Sequence, residues 1–245
     1  LQAYICENLG SPDERVTQGS LPEIAKESFS PLNVMILVRP SGLTELPSRA
    51  GRRLFGNSDE LFLQSRPKRG LLTPAEVRSL ALAELSLCPT SIVWDVGAGS
   101  GSLSVEAARL ALAGSVFAIE MDVDDHQLIE ENAKRFGVDN LRAILGQAPE
   151  AWSDLPNPDS IYVGGSGRSV TSLVEQAWER LKPGGRLVTS CNSIENLAAV
   201  HAFLRSRSED AGYWMVNIAR GIEQMDRIRF EAINPNFLMA ATKAG

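Results

Sequence analysis

Two hydrophobic patterns alternate along most of the chain. From Thr73 onward, short continuous apolar runs alternate with longer segments in which apolar residues recur every three or four positions. The first pattern is typical of strands buried on both faces, and the second of amphipathic helices. The predicted elements are helix 73–87, strand 91–96, helix 102–112, strand 115–119, helix 122–136, strand 141–145, strand 159–163, helix 169–181, strand 186–190, helix 194–206, and strands 213–218, 226–232 and 236–242.

This order of elements predicts an α/β fold. Strands that alternate with helices form a mostly parallel sheet covered on both faces. The last two strands have no helix between them, so we expect them to form an antiparallel hairpin at one edge of the sheet. The expected fold is a Rossmann-like sheet of seven strands, one fewer than the eight predicted segments. The sequence Thr-Pro-Ala-Glu at 73–76 is read as a capping box with proline at the first helical position.

The first 40 residues follow a different pattern. Apolar runs at 4–9 and 33–38 flank a short helical stretch at 21–29, as in the closing β-α-β piece of another domain. Residues 41–51 carry Pro, Gly and Ser and are read as a linker. We therefore expect a remnant domain at 1–40, a linker at 41–51 and a main domain at 52–245.

Composition narrows the classes of function. A net charge of −6 over 245 residues argues against a general nucleic-acid binder, so we expect no nucleic-acid partner. No apolar run is long enough to span a membrane, and no signal peptide is evident. Cys6, Cys88 and Cys191 lack metal or redox spacing and suit a reducing cytoplasm. His126 and His201 stand alone, so no metal site is expected.

A glycine loop follows the first strand of the main domain. The glycines fall at Gly97, Gly99 and Gly101, whereas a dinucleotide-binding loop would place its third glycine at Ser102. No Gly-Lys-Ser/Thr follows, which excludes a Walker-type phosphate loop. Preceded by Asp95, the Gly-X-Gly-X-Gly form resembles the S-adenosylmethionine loop of class I methyltransferases. The alternative is a structural glycine turn in another α/β sheet.

Further cofactor contacts are expected at the carboxyl ends of the strands, where ligands bind in such sheets. Glu120 ends the next strand and would accept hydrogen bonds from both ribose hydroxyls. Gln147 follows the third strand and would meet the adenine edge, although an ordinary loop amide is the alternative. The expected cofactor-binding residues are Leu72, Thr73, Asp95, Gly97, Ala98, Gly99, Gly101, Glu120, Met121, Gln147, Ala148 and Gly164.

A second glycine cluster, Gly-Gly-Ser-Gly at 164–167, follows the fourth core strand. In class I methyltransferases this position faces the transferred methyl group. The Asn/Asp-Pro-Pro-Tyr/Phe motif of enzymes that methylate amino groups of nucleic acids is absent there. Small residues leave space for a bulky substrate, and a helix-capping turn would explain only one of the glycines.

Several basic residues are expected near the mouth of this site. Arg66, Lys68 and Arg69 precede the entry helix, and Arg168 and Arg220 lie near predicted strand ends. Together they would suit a substrate with several carboxylates. The alternative for each residue is a solvated surface charge.

Residues 52–243 resemble the carbon-15 methyltransferase and decarboxylase family of cobalamin biosynthesis. The matching segments are 66–78, 95–101, 146–149, 163–167, 217–221 and Asn234-Pro235. Gly-Gly-Ser-Gly and Asn-Ile-Ala-Arg-Gly (217–221) are more specific to that family than the cofactor loop. The family usually has Asp where this chain has Gln147, whose amide oxygen can still bond adenine, so we expect altered affinity.

Residues 4–38 resemble the end of a tetrapyrrole methylase domain, the carbon-5 partner in fused members of the same family. The matching segments are 6–10, 12–15 and 31–34. The chain thus resembles the carboxyl-terminal half of a fused enzyme with a remnant of its other domain. That remnant carries none of the cofactor motifs of its domain, so carbon-5 methylation is not expected.

The resemblance implies S-adenosylmethionine-dependent methylation of carbon 15 of a precorrin tetrapyrrole, with decarboxylation of the ring C acetate. Catalysis would depend mainly on positioning. Arg168 and Arg220 would anchor substrate carboxylates, and Ser166 would hydrogen-bond near the reacting edge. Because related single-domain enzymes form tetramers, a homo-oligomer is expected. The alternatives are a class I methyltransferase acting on tRNA or another substrate, and a non-catalytic cofactor-binding partner.

Overall fold

The computed structural model describes residues 2–38, 53–65, 72–164 and 170–245. The chain divides into two compact units, residues 1–51 and 52–245. The segment that we read as a linker, 41–51, lies outside the described residues. No described helix is long and apolar enough to cross a membrane.

The first unit is a small antiparallel sheet with strand order β2-β1-β3. It consists of β1 (Gln2–Glu7), β2 (Arg15–Ser20), the short helix α1 (Leu21–Ile24) and β3 (Asn33–Val38). The sequence pattern missed β2 because its Arg-Val-Thr-Gln-Gly-Ser sequence has one large apolar residue and pairs with β1 through its backbone. The predicted helix 21–29 is shorter, since it ends at Ile24.

The second unit contains the remaining elements. They are α2 (Ala75–Glu84), β4 (Ile92–Val96), α3 (Ser102–Leu110), β5 (Ser115–Glu120), α4 (Val123–Phe136), β6 (Leu141–Leu145), β7 (Ser160–Val163), α5 (Val170–Arg180), β8 (Arg186–Cys191), α6 (Ile194–Arg207), β9 (Gly212–Gln224) and β10 (Arg227–Thr242). The sheet order is β6-β5-β4-β7-β8-β10-β9. The described strands β4 to β8 pair in parallel, and β10 pairs antiparallel with both β8 and β9, so the predicted seven-stranded sheet with an antiparallel edge is confirmed.

The predicted pairing within the carboxyl-terminal hairpin is wrong: the two strands expected to pair with each other, 226–232 and 236–242, are parts of the single strand β10, which pairs with β9. Two long strands replace the three predicted ones, and a tight turn at Met225 and Asp226 joins them, with φ of 48° and 58°. Left-handed φ at both central residues is the geometry that matches strand twist in a two-residue hairpin. The Asn234-Pro235 pair, expected to interrupt the strands, lies within β10 at an irregularity between Ile233 and Asn236. Proline is tolerated at such a bulge.

The predicted capping box at the start of α2 is wrong. The helix begins at Ala75, and its N-cap, Pro74, makes no side-chain cap hydrogen bond. Glu76 instead pairs with Arg220 of β9, and the Thr73 side chain hydrogen-bonds Tyr162. The helix also ends at Glu84, three residues before the predicted end. Both side chains of the expected capping box, Thr73 and Glu76, therefore contact residues from other parts of the chain.

Apolar side chains cover both faces of the sheet. On one face, Val93 and Val188 pack against α2 and α3, where Leu82 contributes. On the other, Trp94 and Ile161 pack against α5 and α6. The continuous apolar runs of β4 and β7 follow from this burial on both sides.

The parallel register places four strand ends along one edge. Val96 at the end of β4 is level with Ile119 of β5 and Val163 of β7, and Glu120 is level with Leu145 of β6. The loops that leave these strands are therefore neighbours. Most of the residues expected from the sequence to bind the cofactor lie in them.

Candidate functional site

The glycine loop adopts a conformation that favours glycine. Gly97, Gly99 and Gly101 have φ of 74°, 55° and 76°, a region that residues with a Cβ rarely adopt. The backbone amides of Gly97 and Ala98 donate to the carbonyl of Ile119, at 3.0 and 3.2 Å, which fixes the loop to the end of β5. The loop thus turns tightly from β4 into α3.

The Glu120 carboxylate lies at the centre of this edge. One oxygen, Oε2, accepts a hydrogen bond from the Gly99 amide at 2.8 Å. The other, Oε1, accepts from the amides of Met121 and Asp122, at 2.8 and 3.0 Å. Glu120 is buried, whereas Met121 is exposed. The carboxylate that we expected beside the glycine loop is therefore held there by three backbone donors.

Asp95 is a buried carboxyl group one residue before the end of β4. Ser104 of α3 donates a hydrogen bond to its Oδ2. Burial raises the pKa of Asp95 to about 7; the Ser104 hydrogen bond opposes that rise, and the nearby Glu120 adds to it. No cationic side chain in the described part of the chain pairs with Asp95. A cationic ligand group here would therefore stabilise its ionised form.

Tyr162 is a site residue that the sequence analysis missed. It lies level with Asp95 on the adjacent strand, and its hydroxyl is 2.8 Å from the Ser190 Oγ. Burial raises the pKa of the Tyr162 hydroxyl, which the Thr73 side chain also hydrogen-bonds. A Cβ on Gly164 would lie 2.6 Å from the Tyr162 ring, so only glycine fits there. A tyrosine within the apolar run that leads into a glycine cluster is the sequence signal for it.

The loop after β6 joins the same edge. The Gly146 amide donates to the Glu120 carbonyl at 2.9 Å, which places the exposed Gln147 close behind it. Ala148 is half-buried and packs against the core cluster of Trp152. The predicted adenine contacts are thus brought to the edge that carries the glycine loop.

Two predicted cofactor residues precede α2. Thr73 is brought into the site, since it meets the Tyr162 hydroxyl. Leu72 packs instead against a small cluster formed by Phe62, Val105 and Phe136. Ser166 and Arg168, together with the basic residues Arg66, Lys68 and Arg69, lie outside the described residues.

Arg220 lies in β9 and is bound by two carboxylates of this chain. Its Nη2 is 2.7 Å from Glu76 Oε2 and 2.8 Å from Asp59 Oδ2, and its Nε is 3.1 Å from Glu76 Oε1. These hydrogen bonds raise the pKa of Arg220 and lower that of Glu76. The predicted carboxylate anchor therefore already has acidic partners within the chain.

A buried ion pair behind the glycine loop was not predicted. Arg78 and Glu106 are fully buried, with 3.0 Å between Arg78 Nε and Glu106 Oε2. Glu106 also accepts from the amides of Gly56 and Asn57, at 3.0 and 2.8 Å. The signal in the sequence is weak: Arg78 falls at helical spacing from the apolar Leu82.

Asn132 of α4 supports the glycine loop from behind. Its Nδ2 donates to the carbonyls of Ser100 and Leu63, at 2.9 and 3.0 Å, and its Oδ1 accepts from the Leu63 amide at 2.8 Å. The Ser100 hydroxyl is buried and has no partner among the described residues. The loop thus has fixed backbone support and one polar atom available for a ligand.

The edge as a whole is built for binding and orientation. It presents left-handed glycines, a buried carboxyl with an unusually high pKa, and a carboxylate held by backbone donors. In the described part of the chain, no group of three or more His, Cys, Asp or Glu residues could hold a metal ion. Such an arrangement can bind a cation beside Asp95 and hydroxyl donors beside Glu120.

Comparison with known proteins identifies the family. A model described as a precorrin methyltransferase domain matches residues 67–229. The cobalt-precorrin-6B C(15)-methyltransferase (decarboxylating) of Salmonella typhimurium is 40% identical over 146 residues, covering 60% of this chain and 74% of that protein. The precorrin-6Y C(5,15)-methyltransferase [decarboxylating] of a Sinorhizobium species is 36% identical over 188 residues, which are 76% of this chain and 43% of that protein.

A solved structure agrees with these sequence matches. The precorrin-6Y C5,15-methyltransferase of Geobacter metallireducens superposes with a TM-score of 0.72 and 31% identity, covering 78% of this chain and all of that one. The glycine loop, the acidic residue of the next strand and the family match fall on the same stretch of sequence. The chain therefore belongs to the precorrin methyltransferase domain family.

Proposed function

We propose that this chain uses S-adenosylmethionine to methylate carbon 15 of a precorrin-type tetrapyrrole and that it decarboxylates the acetate side chain of ring C. The observation that carries the proposal is the carboxyl edge of the sheet, where the glycine loop, Asp95 and Glu120 converge. The names of the relatives supply the substrate class, since they describe C(15)-methyltransferases that decarboxylate.

The residues of this edge fit the proposed cofactor. Left-handed Gly97 and Gly99 allow the backbone to approach the methionyl part closely. Its ammonium group would lie by Asp95, whose pKa burial raises and with which no cationic side chain of the described residues pairs. The unpartnered Ser100 hydroxyl gives a further polar contact.

The other end of the cofactor is assigned to the strands beyond the loop. Glu120 would accept from the ribose through Oε2, because Oε2 uses only one of its two lone pairs, for the Gly99 amide, whereas Oε1 already accepts from the amides of Met121 and Asp122. Gln147 would meet the adenine amino group through its amide oxygen, and the Ala148 amide would reach a ring nitrogen. Leu72, Thr73, Ala98, Gly101 and Met121 complete the proposed cofactor-binding set.

The methyl group would face Gly164. The Tyr162 ring occupies the place that a Cβ at Gly164 would need, so position 164 has to be glycine. It therefore carries no side chain that could come between the cofactor and the substrate. When bound, the cofactor supplies an electrophilic methyl group to the nucleophilic tetrapyrrole carbon. The task of the protein is to hold the two in line, and alignment of this kind can account for much of a rate enhancement.

Fewer residues are assigned to binding of the tetrapyrrole substrate than to binding of the cofactor. We propose that Ser166 hydrogen-bonds near the reacting carbon and that Arg168 anchors a peripheral carboxylate. Arg220 would be a second anchor, although its guanidinium already contacts Glu76 and Asp59. As carbon dioxide leaves the ionised acetate, the electron pair of the broken carbon–carbon bond would pass into the conjugated macrocycle, and a proton from solvent would then complete the methyl group left on ring C, so no strong protein base is needed.

The test is a mass measurement on the tetrapyrrole. The purified chain would be incubated with S-adenosylmethionine and either precorrin-6Y or cobalt-precorrin-6B. The expected product has gained one methylene and lost one carbon dioxide. A macrocycle of unchanged mass with either substrate, while the cofactor binds normally, would contradict the proposal.

We further propose that the chain is a homo-oligomer that works in the cytoplasm. The apolar side chains of Met215, Ile228 and Phe230 on the hairpin are 61%, 69% and 70% exposed, and exposed apolar surface of this kind is typical of interfaces. The three cysteines are unpaired, as expected in a reducing compartment. Light scattering at several concentrations would give the oligomeric state, and a monomer throughout would contradict it.

A further inference from the structure

Five charged residues form a continuous set of ion pairs between β9 and the glycine loop. We call this set the two-arginine network; it consists of Asp59, Glu76, Arg78, Glu106 and Arg220. Asp59 joins the two arginines, with its Oδ2 2.8 Å from Arg220 Nη2 and its Oδ1 3.2 Å from Arg78 Nη1. The network has an exposed end at Arg220 and a buried end at Arg78.

The buried end contacts the walls of the proposed cofactor site. Arg78 Nη1 donates to the Thr73 carbonyl at 2.7 Å and to the Ser102 hydroxyl at 3.4 Å. Thr73 is the residue whose side chain meets Tyr162, and Ser102 directly follows Gly101. Arg78 therefore ties the entry to α2 and the start of α3 to one rigid, planar group.

The exposed end acts on the first turn of α2. Glu76 is held by two atoms of Arg220, which is the paired geometry that favours arginine over lysine. This side-chain pair stands where the expected local cap is missing, since Pro74 makes no side-chain cap hydrogen bond. The start of α2 is thus fixed by a residue more than a hundred positions away in the sequence.

Loss of Arg220 would leave its carboxylates close together. Asp59 is largely buried, and its remaining partner would be Arg78, which Glu106 already neutralises. Glu76 would be left near Asp59 with less positive charge to offset their repulsion, because Arg78 remains close to both but is also paired with Glu106. The segment around Asp59 and the start of α2 would then separate, and Thr73 would move with them.

We propose that Arg220 is a positioning residue for cofactor binding, acting through Asp59, Glu76 and Arg78 on Thr73 and Ser102. The inference rests on the cofactor site of the proposed function. It differs from the role of substrate anchor in one measurable respect: removal of Arg220 would weaken cofactor binding in the absence of any tetrapyrrole.

The experiment is calorimetric titration of the whole chain with S-adenosylhomocysteine, without tetrapyrrole. We expect about tenfold weaker binding for Arg220→Gln, within the range of coupling between distinct sites. Arg220→Lys keeps the charge but loses the paired geometry, so it should recover about half of that loss on a logarithmic scale. Arg229→Gln is the matched control, because it removes an exposed arginine from the other strand of the same hairpin, and it should bind like the unmodified chain.

A second variant keeps the test informative if Arg220→Gln folds poorly. Glu76→Gln removes one carboxylate and leaves the contact between Asp59 and Arg220, so we expect a smaller loss, of about threefold. Circular dichroism would establish that each variant is folded. In turnover assays, KM for S-adenosylmethionine should rise while kcat changes little.

Two results would overturn the inference. Either Arg220→Gln binds S-adenosylhomocysteine normally and only KM for the tetrapyrrole rises, or Arg229→Gln weakens binding equally. Failure of the proposed function gives a different result, namely normal cofactor binding by the unmodified chain with no change in tetrapyrrole mass. In that case the inference would still be decided by the titrations.

Discussion

The inner strands of the large sheet are buried on both faces, whereas the outer part of its carboxyl-terminal hairpin is exposed. In the inner strands, Trp94, Ile161 and Leu187 are fully buried, and helices cover both faces. In the hairpin, β10 is buried where it pairs with β8, at Leu238 and its neighbours, but it is exposed over the half that carries Phe230. One continuous strand thus belongs to the core at one end and to the surface at the other.

This difference separates the requirements of folding from those of function. A residue of the inner strands packs in the core, and at its carboxyl end it also shapes the ligand edge, so a change there affects both. A residue in the outer hairpin contributes little to the core. Its apolar side chains are the surface on which we propose that the chain associates, and Arg220 on the same hairpin contacts Glu76 at the start of α2.

The largest expected effect is a difference in the free energy of unfolding between two isoleucine-to-alanine variants, one in each region. Ile161→Ala removes a fully buried side chain from β7 and should lower the free energy of unfolding by about 2–5 kcal/mol. Ile228→Ala removes a largely exposed one from β10 and should change it by less than about 0.5 kcal/mol. Urea unfolding monitored by tryptophan fluorescence measures both.

Similar losses in the free energy of unfolding for the two variants would contradict the difference in burial between the two regions. An equal loss for Ile228→Ala would mean that another copy of the chain covers the outer hairpin in solution. The loss would then depend on protein concentration, since association stabilises by mass action.

A second pair of variants compares carboxylates in the two regions. Glu120→Ala leaves three backbone donors, of which the Gly99 amide is buried, without their acceptor and removes the proposed ribose contact. S-adenosylhomocysteine should therefore bind about 100-fold more weakly, given 1.5–3 kcal/mol per hydrogen bond to a charged group. Glu223→Ala, on the exposed part of β9, is the control and should bind normally. Fluorescence titration gives both constants. Normal binding by Glu120→Ala would remove Glu120 from the cofactor site.

The sequence predicts the inner strands better than the hairpin for a physical reason. A strand buried on both faces, such as β4, is a continuous apolar run, so its existence and position can be read locally. In β9 and β10, exposure on much of the length removes that pattern, and Asn234-Pro235 suggested a break where the strand contains only an irregularity. The two-residue turn at Met225-Asp226 lacks the glycine that usually marks such hairpins.

The candidate site divides in the same way. The glycine loop and Glu120 could be predicted, because a short motif and the parallel strand order suffice to place them. Arg78 and Glu106 could not, since they are 28 positions apart and each is buried only because the other neutralises it. Tyr162 was missed because its role depends on Thr73, which is far away in the sequence and lies just before α2.

The smallest expected effect is a difference in pH dependence between two aspartates. Burial raises the pKa of Asp95, in the inner sheet, to about 7. Asp210 precedes the hairpin; its partial burial favours a higher pKa, but hydrogen bonds from Ser208 and Thr242 outweigh this and lower the pKa to about 2. Asp95 therefore contributes stability that is present below about pH 4 and lost as the pH rises through 7, whereas Asp210 contributes stability that is lost as the pH falls through 2.

The pH dependence of the affinity for the cofactor should reflect the ionisation of Asp95 and not that of Asp210. If the cofactor ammonium binds the ionised carboxylate, affinity for S-adenosylhomocysteine should rise about tenfold between pH 6 and pH 8, because the ionised fraction of a group with a pKa near 7 rises by about that factor. Asp95→Asn should bind weakly and show no such rise, while Asp210→Asn should keep it. A pH-independent affinity in the unmodified chain would mean that the cation of the ligand lies elsewhere, and the high pKa of Asp95 would then reflect burial without a part in binding.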